Sequence, residues 1–343
     1  MALNRVFIAL VLVLVVAAAV YATYNYGRPG AVLKVFCAGS LKIPIERLAK
    51  IFRDRYGVDV HVESSGSVEA VRKVIDLGRP CDVLALADYR LIPKYLYPNY
   101  SDWYVAFAGN EVVLAFTSRS RYSSEVVKDP SRWFEVLGKP GVRWGFSDPN
   151  KDPCGYRAVG VIALASIYYG RSDILRDLLL SRTNMRAGVR GDNLVIYVPS
   201  NLEVRSTDLV VRPMSVELIS LLESGSIDYA FEYLSVAKQH NLSYVRLPRE
   251  VNLGDPGLKG FYSKVAVNIL TGSSRERAIR MAPIVYGATV PKVSEHPDLG
   301  IKFVELMLSD TGREVFRELG QPPLTRPVYS GNIPKELVVE GGG

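Results

Sequence analysis

Residues 32–87 alternate between two hydrophobic periods, and this alternation limits the fold more than any other feature. VLKVFC (32–37) is a short apolar run of strand type. Ala38-Gly39-Ser40 follows, then Ile45, Leu48, Ile51 and Phe52 at helical spacing, closed by Gly57. Val58 to Val62 returns to strand character. Ser64-Ser65-Gly66-Ser67 then turns into a second helix bearing Val68, Val71, Val74 and Ile75, and DVLALA (82–87) is a third strand. Strand–helix–strand order predicts an α/β fold with a mostly parallel sheet.

A second group of elements starts at Glu111–Phe116, a strong strand. It continues through Val142–Phe146, a helix after Asp152, an amphipathic run Asp173–Leu180, strands at 193–199 and 208–212, a helix Val216–Glu223 and a strand Tyr229–Tyr233. Tyr262–Leu270 and Ile284–Val290 read as strands, and 299–308 and 312–319 as closing helices. A length of 343 residues suits two compact lobes. The chain is expected to leave one lobe, build another and return. Residues 32–112 are then the first part of lobe 1, 113–258 lobe 2, and 259–343 the return part of lobe 1. The tail after Leu324 carries two prolines and a Gly run and is expected to be loosely held.

Residues 1–31 stand apart. Asn4-Arg5 precedes an apolar run, 6–24, about long enough for one bilayer span. It reads as a signal peptide or membrane anchor, with YNYGRPG (24–30) as linker. The remainder is expected outside the cytoplasm, secreted or tethered to the outer face of the membrane through 6–24 if that run is uncleaved. Two sequons, Asn99-Tyr100-Ser101 and Asn241-Leu242-Ser243, agree with export. Three cysteines (Cys37, Cys81, Cys154) make no disulfide framework. The formal charge is +7, but the basic residues are scattered, which argues against a nucleic-acid partner.

Four junctions into helices share a chemistry: Ala38-Gly39-Ser40, Ser65-Gly66-Ser67, Asp152-Pro153-Cys154-Gly155 and Met214-Ser215-Val216. Each sets small residues at a helix start, where backbone N–H groups lack partners and an anion can approach. Plain capping accounts for any one of them alone. Two in each expected lobe suggest a clamp for an oxyanion. Asp152 is out of place there, since a carboxylate repels an anion. It fits as a cap turned away, or as a ligand to a central atom that accepts further oxygen. Tungsten(VI) and molybdenum(VI) do so; the sulfur of sulfate does not.

With these residues in view, the chain resembles the archaeal tungstate/molybdate-binding proteins, the solute-binding components of ABC transporters. The likeness runs from about Val32 to Leu324. It is carried by VFCAGSL (35–41), SSGSVEAVRKV (64–74), DVLALADYRLI (82–92), DPNKDPCGYR (148–157), ESGSIDYAFEYLSVAKQH (223–240), YSKVAV (262–267) and PIVYGATVPK (283–292). The resemblance implies a two-lobed type II periplasmic-binding-protein fold that closes by a hinge. It implies an oxyanion site formed by Gly39, Ser40 and Ser67 from one lobe, and by Asp152, Pro153, Cys154, Ser215 and Tyr233 from the other. Cys154 would act through its backbone N–H and Tyr233 through its hydroxyl. The family commonly carries acid-x-Glu-Leu, whose first acid joins Asp in coordinating the metal. Here Ser215-Val216-Glu217-Leu218 puts serine at that place. Asp152 is then expected to be the only carboxylate ligand to tungsten or molybdenum, with Glu217 a structural residue. The implied partners are a membrane permease and its ATPase; the receptor would be monomeric, need no cofactor and carry out no turnover.

Rival readings are an enzyme built on Cys154, a cation binder using Tyr168-Tyr169, and the same receptor carrying another oxyanion such as sulfate. The first wants a histidine base, and His61, His240 and His296 sit in no pairing motif. The tyrosine pair ends an apolar helix, which suggests packing. Ser215 keeps the third reading open. Arg157 is expected to brace a loop carboxylate, Asp148 or Asp152.

Overall fold

The computed structural model describes residues 31–337. The apolar run 6–24 and its linker lie outside the described residues. Among the described residues no helix is long and apolar enough to cross a membrane.

The alternation at 32–87 builds the centre of a six-stranded sheet. Val32–Ala38 pairs in parallel with Asp59–Ser65 on one side and Val83–Leu86 on the other. Helix Lys42–Tyr56 lies between the first two strands and ends on Gly57, whose φ of 66° is the left-handed conformation of a helix stop. The sheet is mixed rather than mostly parallel. Ile284–Thr289 runs antiparallel to both Val83–Leu86 and Trp103–Asn110, and Pro323–Gly331 runs antiparallel to Trp103–Asn110 at the edge. Trp103–Asn110 follows Val83–Leu86 through the short helix Leu91–Tyr95, whereas Ile284–Thr289 and Pro323–Gly331 return from far downstream. The tail past Leu324 is therefore paired as far as Gly331, contrary to expectation; its Gly run lies outside the described residues. Its prolines are tolerated because an edge strand needs donors on one side only.

Trp103–Asn110 and Val112–Phe116 are consecutive strands in different sheets. Asn110, buried at the crossing, donates from Nδ2 to the Ser235 Oγ at 2.7 Å and the Tyr286 hydroxyl at 2.6 Å. Its Oδ1 accepts from the Glu111 N–H at 2.9 Å. The second sheet has five strands in the order Ser243–Arg246, Val112–Phe116, Tyr229–Tyr233, Trp144–Ser147 and Leu209–Arg212. A third, of four strands, joins Arg277–Arg280, Val265–Thr271, Asn193–Pro199 and Arg186–Arg190. The expected strand Tyr262–Leu270 is in fact a helical turn, Lys259–Tyr262, followed by Val265–Thr271. That strand pairs with Asn193–Pro199 before the chain goes back to the first sheet.

Helix Pro153–Tyr168 packs between the five- and four-stranded sheets. Every side chain from Pro153 to Ser166 is buried, as an apolar helix enclosed on all sides requires. Its first turn comes so close to the preceding strand end that a Cβ at Gly155 would overlap the Ser147 carbonyl. Backbone on both sides leaves nothing free to give way. Gly155→Ala is expected to lower the unfolding free energy by about 1–3 kcal/mol; an unchanged urea midpoint would show that the turn can move.

Candidate functional site

All four helix junctions follow the ends of strands. Val32–Ala38 ends in the short 3-10 turn Gly39–Leu41. Asp59–Ser65 runs through Gly66 into helix Ser67–Ile75. Trp144–Ser147 leads through a loop to the Asp152 cap of helix Pro153–Tyr168. The fourth, Met214-Ser215-Val216, opens helix Glu217–Glu223 after strand Leu209–Arg212.

Asp152 joins two of these helix starts. Its Oδ1 accepts from the Cys154 N–H at 3.2 Å and its Oδ2 from the Ser215 N–H at 2.9 Å. One carboxylate so caps its own helix and fixes the mouth of another. The six-stranded body fits directly against this pair. A Cβ at Gly66 would overlap the Lys151 carbonyl, and one at Gly39 would touch Val216 at 3.5 Å. Only glycine at 66 lets the two backbones approach so closely.

Ser40, Ser67, Asp152, Cys154, Ser215 and Tyr233 are all buried. The Ser67 Oγ accepts from the Ala87 N–H at 3.0 Å, and the Ser40 Oγ from the Tyr286 hydroxyl at 3.2 Å. The Tyr233 hydroxyl accepts from Arg157 Nη1 at 2.6 Å. The expected site residues are thus brought to one region, with the two bodies shut upon each other. Glu217 turns away from it, its Oε1 accepting from the Met214 N–H at 3.2 Å.

Arg157 does not brace Asp148 or Asp152. Position 157 lies one turn into the helix, and its side chain passes to the six-stranded body. Nη1 donates to the Ala87 carbonyl at 2.8 Å, and Nη2 lies 3.7 Å from Asp88. The Tyr156 hydroxyl donates to the same Asp88 carboxylate at 2.8 Å, and Arg90 pairs with it at 2.6 Å. Burial pushes the Asp88 carboxyl up, but Arg90, Arg157 and Tyr156 outweigh that and hold it well below the usual carboxylate range.

Burial, then Glu232 and Asp152, push the Cys154 thiol well above its ordinary value, and the thiol donates to the Phe231 carbonyl at 3.8 Å. A thiol so placed is inert. Among the described residues no group of three or more His, Cys, Asp or Glu side chains is arranged to hold a metal cation.

Sequence reasoning passed over Glu232. It is fully buried in strand Tyr229–Tyr233, with the Ser215 hydroxyl and Asp152 beside it. Burial pushes it up to about 8; the Ser215 hydroxyl opposes this and Asp152 adds to it. Burial likewise raises Asp152, against the two N–H groups that hold it. The signal for Glu232 was present, since YAFEY sets an acid inside an otherwise apolar strand.

These two carboxyls act oppositely on stability. Asp88 is depressed in the fold, so its contribution is present above about pH 3.9, the free value, and is lost as pH falls below it. Glu232 is raised, so its contribution is complete below about pH 4.3 and is lost as pH rises toward 8. Between pH 5 and 8 the wild type is expected to lose stability relative to Glu232→Gln by on the order of 1 kcal/mol per pH unit. Superimposable urea-unfolding profiles of the two proteins would show that Glu232 does not hold its proton in the fold.

The family described as bacterial extracellular solute-binding protein matches residues 33–320. The molybdate/tungstate-binding protein WtpA of Pyrococcus abyssi is 46% identical over 317 residues, covering 91% of this chain and 90% of its own. Two solved structures share the fold at low identity. The periplasmic molybdate-binding protein of Azotobacter vinelandii has a TM-score of 0.56 and 17% identity, with 84% of this chain and 98% of that one covered. The sulfate-binding protein SubI of Mycobacterium tuberculosis has a TM-score of 0.57 and 12% identity, with 86% and 88% covered. Mixed sheets joined by return strands, helix mouths gathered at strand ends and a match along nearly the whole described chain agree: this protein belongs to the extracellular solute-binding protein family.

Proposed function

We propose that this protein is an extracytoplasmic receptor that captures tungstate or molybdate between two lobes and delivers it to a membrane permease driven by an ATPase. Asp152 carries this reading. A buried carboxylate at the meeting point of two helix mouths suits an oxyanion whose central atom accepts another oxygen. The WtpA relative, named for molybdate and tungstate, supports the same cargo.

In this reading Gly39, Ser40 and Ser67 offer donors from the first lobe. Pro153, Cys154 and Ser215 offer the two helix mouths of the second, and Tyr233 its hydroxyl. Asp152 retains a lone pair on each oxygen for the metal centre. The lobes turn about the crossing at Asn110 and the return between Arg280 and Ile284, a hinge motion of the kind that closes around small ligands. The receptor carries out no chemistry of its own and works outside the cytoplasm, held at the membrane by residues 6–24 where these are retained.

Calorimetric titration of the full chain with tungstate, molybdate and sulfate is expected to give tight binding of the first two and weak or no binding of sulfate. Sulfate binding as tight as tungstate would mean that Ser215 marks a changed cargo. Cys154→Ala is expected to leave tungstate affinity within about twofold, roughly 0.4 kcal/mol, because the proposed role of this position rests on its backbone N–H; a large loss would assign a role to the thiol.

A further inference from the structure

Cations from both bodies converge on one open pocket of about 360 Å³. Arg72 comes from helix Ser67–Ile75 and Lys94 from helix Leu91–Tyr95, both packed on the six-stranded sheet. Arg275 and Arg277 come from the hairpin that joins Val265–Thr271 to Arg277–Arg280 in the four-stranded sheet. Val68, Val71 and Ile75 give the pocket an apolar wall, and none of the expected oxyanion-site residues lines it. Among the described residues that line it, the acids are Asp76 and Glu276. Asp76 reaches Arg275 at 4.0 Å, and both are exposed. Glu276 serves its own turn, its Oε2 accepting from the Gly272 N–H at 3.2 Å. Tyr95 sits between two of the cations, with the Arg277 guanidinium carbon 4.4 Å and the Lys94 Nζ 5.8 Å from its ring centroid. Burial, then Arg275 and Arg277, pulls Arg72 below its ordinary value; burial, then Arg277 and Arg90, does the same to Lys94. Like charges gathered from two bodies oppose the shut arrangement until an anion lies among them.

We propose that this pocket is a second anion site, taking a multiply charged phosphate-class anion such as a diphosphate and bridging the two bodies. Arginine forks pair phosphate oxygens two at a time, and lysine adds a point charge. Three arginines and a lysine therefore suit oxygens spread over adjacent phosphorus centres better than one small tetrahedral dianion. The apolar wall is placed for the organic part of a phosphate ester. An anion held from both bodies binds the shut form better than the open one and favours it by that difference.

The test titrates the full chain with inorganic pyrophosphate and with ATP, at constant ionic strength and with saturating tungstate present. Pyrophosphate is expected to bind without displacing tungstate and to raise Tm. Tighter binding of ATP would place an organic phosphate, and equal or weaker binding an inorganic one, in the same pocket. The double variant Arg72→Gln/Arg277→Gln is expected to weaken pyrophosphate about tenfold or more. The double variant Arg186→Gln/Arg190→Gln removes the same charge from an exposed edge strand and is expected to leave pyrophosphate binding within about twofold. Equal losses in the two variants would reduce the effect to net charge and overturn the proposal. So would the absence of binding by both phosphates, or competition between pyrophosphate and tungstate, measurements that need no variant to fold. If the wild type fails to bind tungstate, the cargo assignment falls, and the second site is then decided by the two variants alone.

Discussion

A guanidinium without solvent must find its compensation inside the protein, and Arg157 finds it in both bodies. It sits on the helix that fills the space between the five- and four-stranded sheets. Its hydrogen bonds go to the Ala87 carbonyl at the end of a six-stranded-sheet strand and to the Tyr233 hydroxyl at the end of a five-stranded-sheet strand. Asp88, also buried, offsets part of the charge and is shared with Arg90. Removing one member of such a set leaves another buried and unpaired, which costs about 3–5 kcal/mol. The set is therefore a joint between the bodies as much as a support for Tyr233.

Every contact in that joint opposes opening. The Tyr156 hydroxyl on Asp88, Arg157 on Ala87, and Gly66 against Lys151 all cross between the two bodies. None of the site side chains is accessible while they hold. A ligand can reach the helix mouths only in a state where these contacts have parted. It shifts the balance toward the shut form only by the extra affinity that the shut form offers. In the proposed site the shut form offers that affinity through residues contributed from both sides, which accounts for donors divided between strand ends of two sheets.

Much of this was legible in the sequence because it is local. Periodicity located the 32–87 elements, and small residues at helix starts located Gly39, Gly66, Asp152 and Ser215. What was not legible depends on pairing across the chain. The antiparallel strands Ile284–Thr289 and Pro323–Gly331 enter the first sheet from far downstream, and nothing in their own composition states their neighbours. Arg157 was misassigned to the loop beside it because sequence distance favours Asp148 and Asp152, while the helix carries the side chain toward Asp88. Glu232 was passed over because a strand acid gains its meaning only from what surrounds it, here Asp152 and the Ser215 hydroxyl.

Under the proposed cargo, two buried carboxyls, Asp152 and Glu232, set a strict electrostatic condition on the anion. Unit charges at about 4 Å repel by roughly 1 kcal/mol in water and by about 4 kcal/mol at the effective dielectric of a protein surface, and a dianion doubles each figure. Arg157 offsets part of this, but it is already committed to Asp88 and to the Tyr233 hydroxyl. Holding protons is one release, and burial drives both Asp152 and Glu232 that way. A bond from carboxyl oxygen to the anion's central atom is the other, and it is open to tungsten and molybdenum but closed to sulfur. Acids that would spoil a sulfate site can therefore improve a tungstate site.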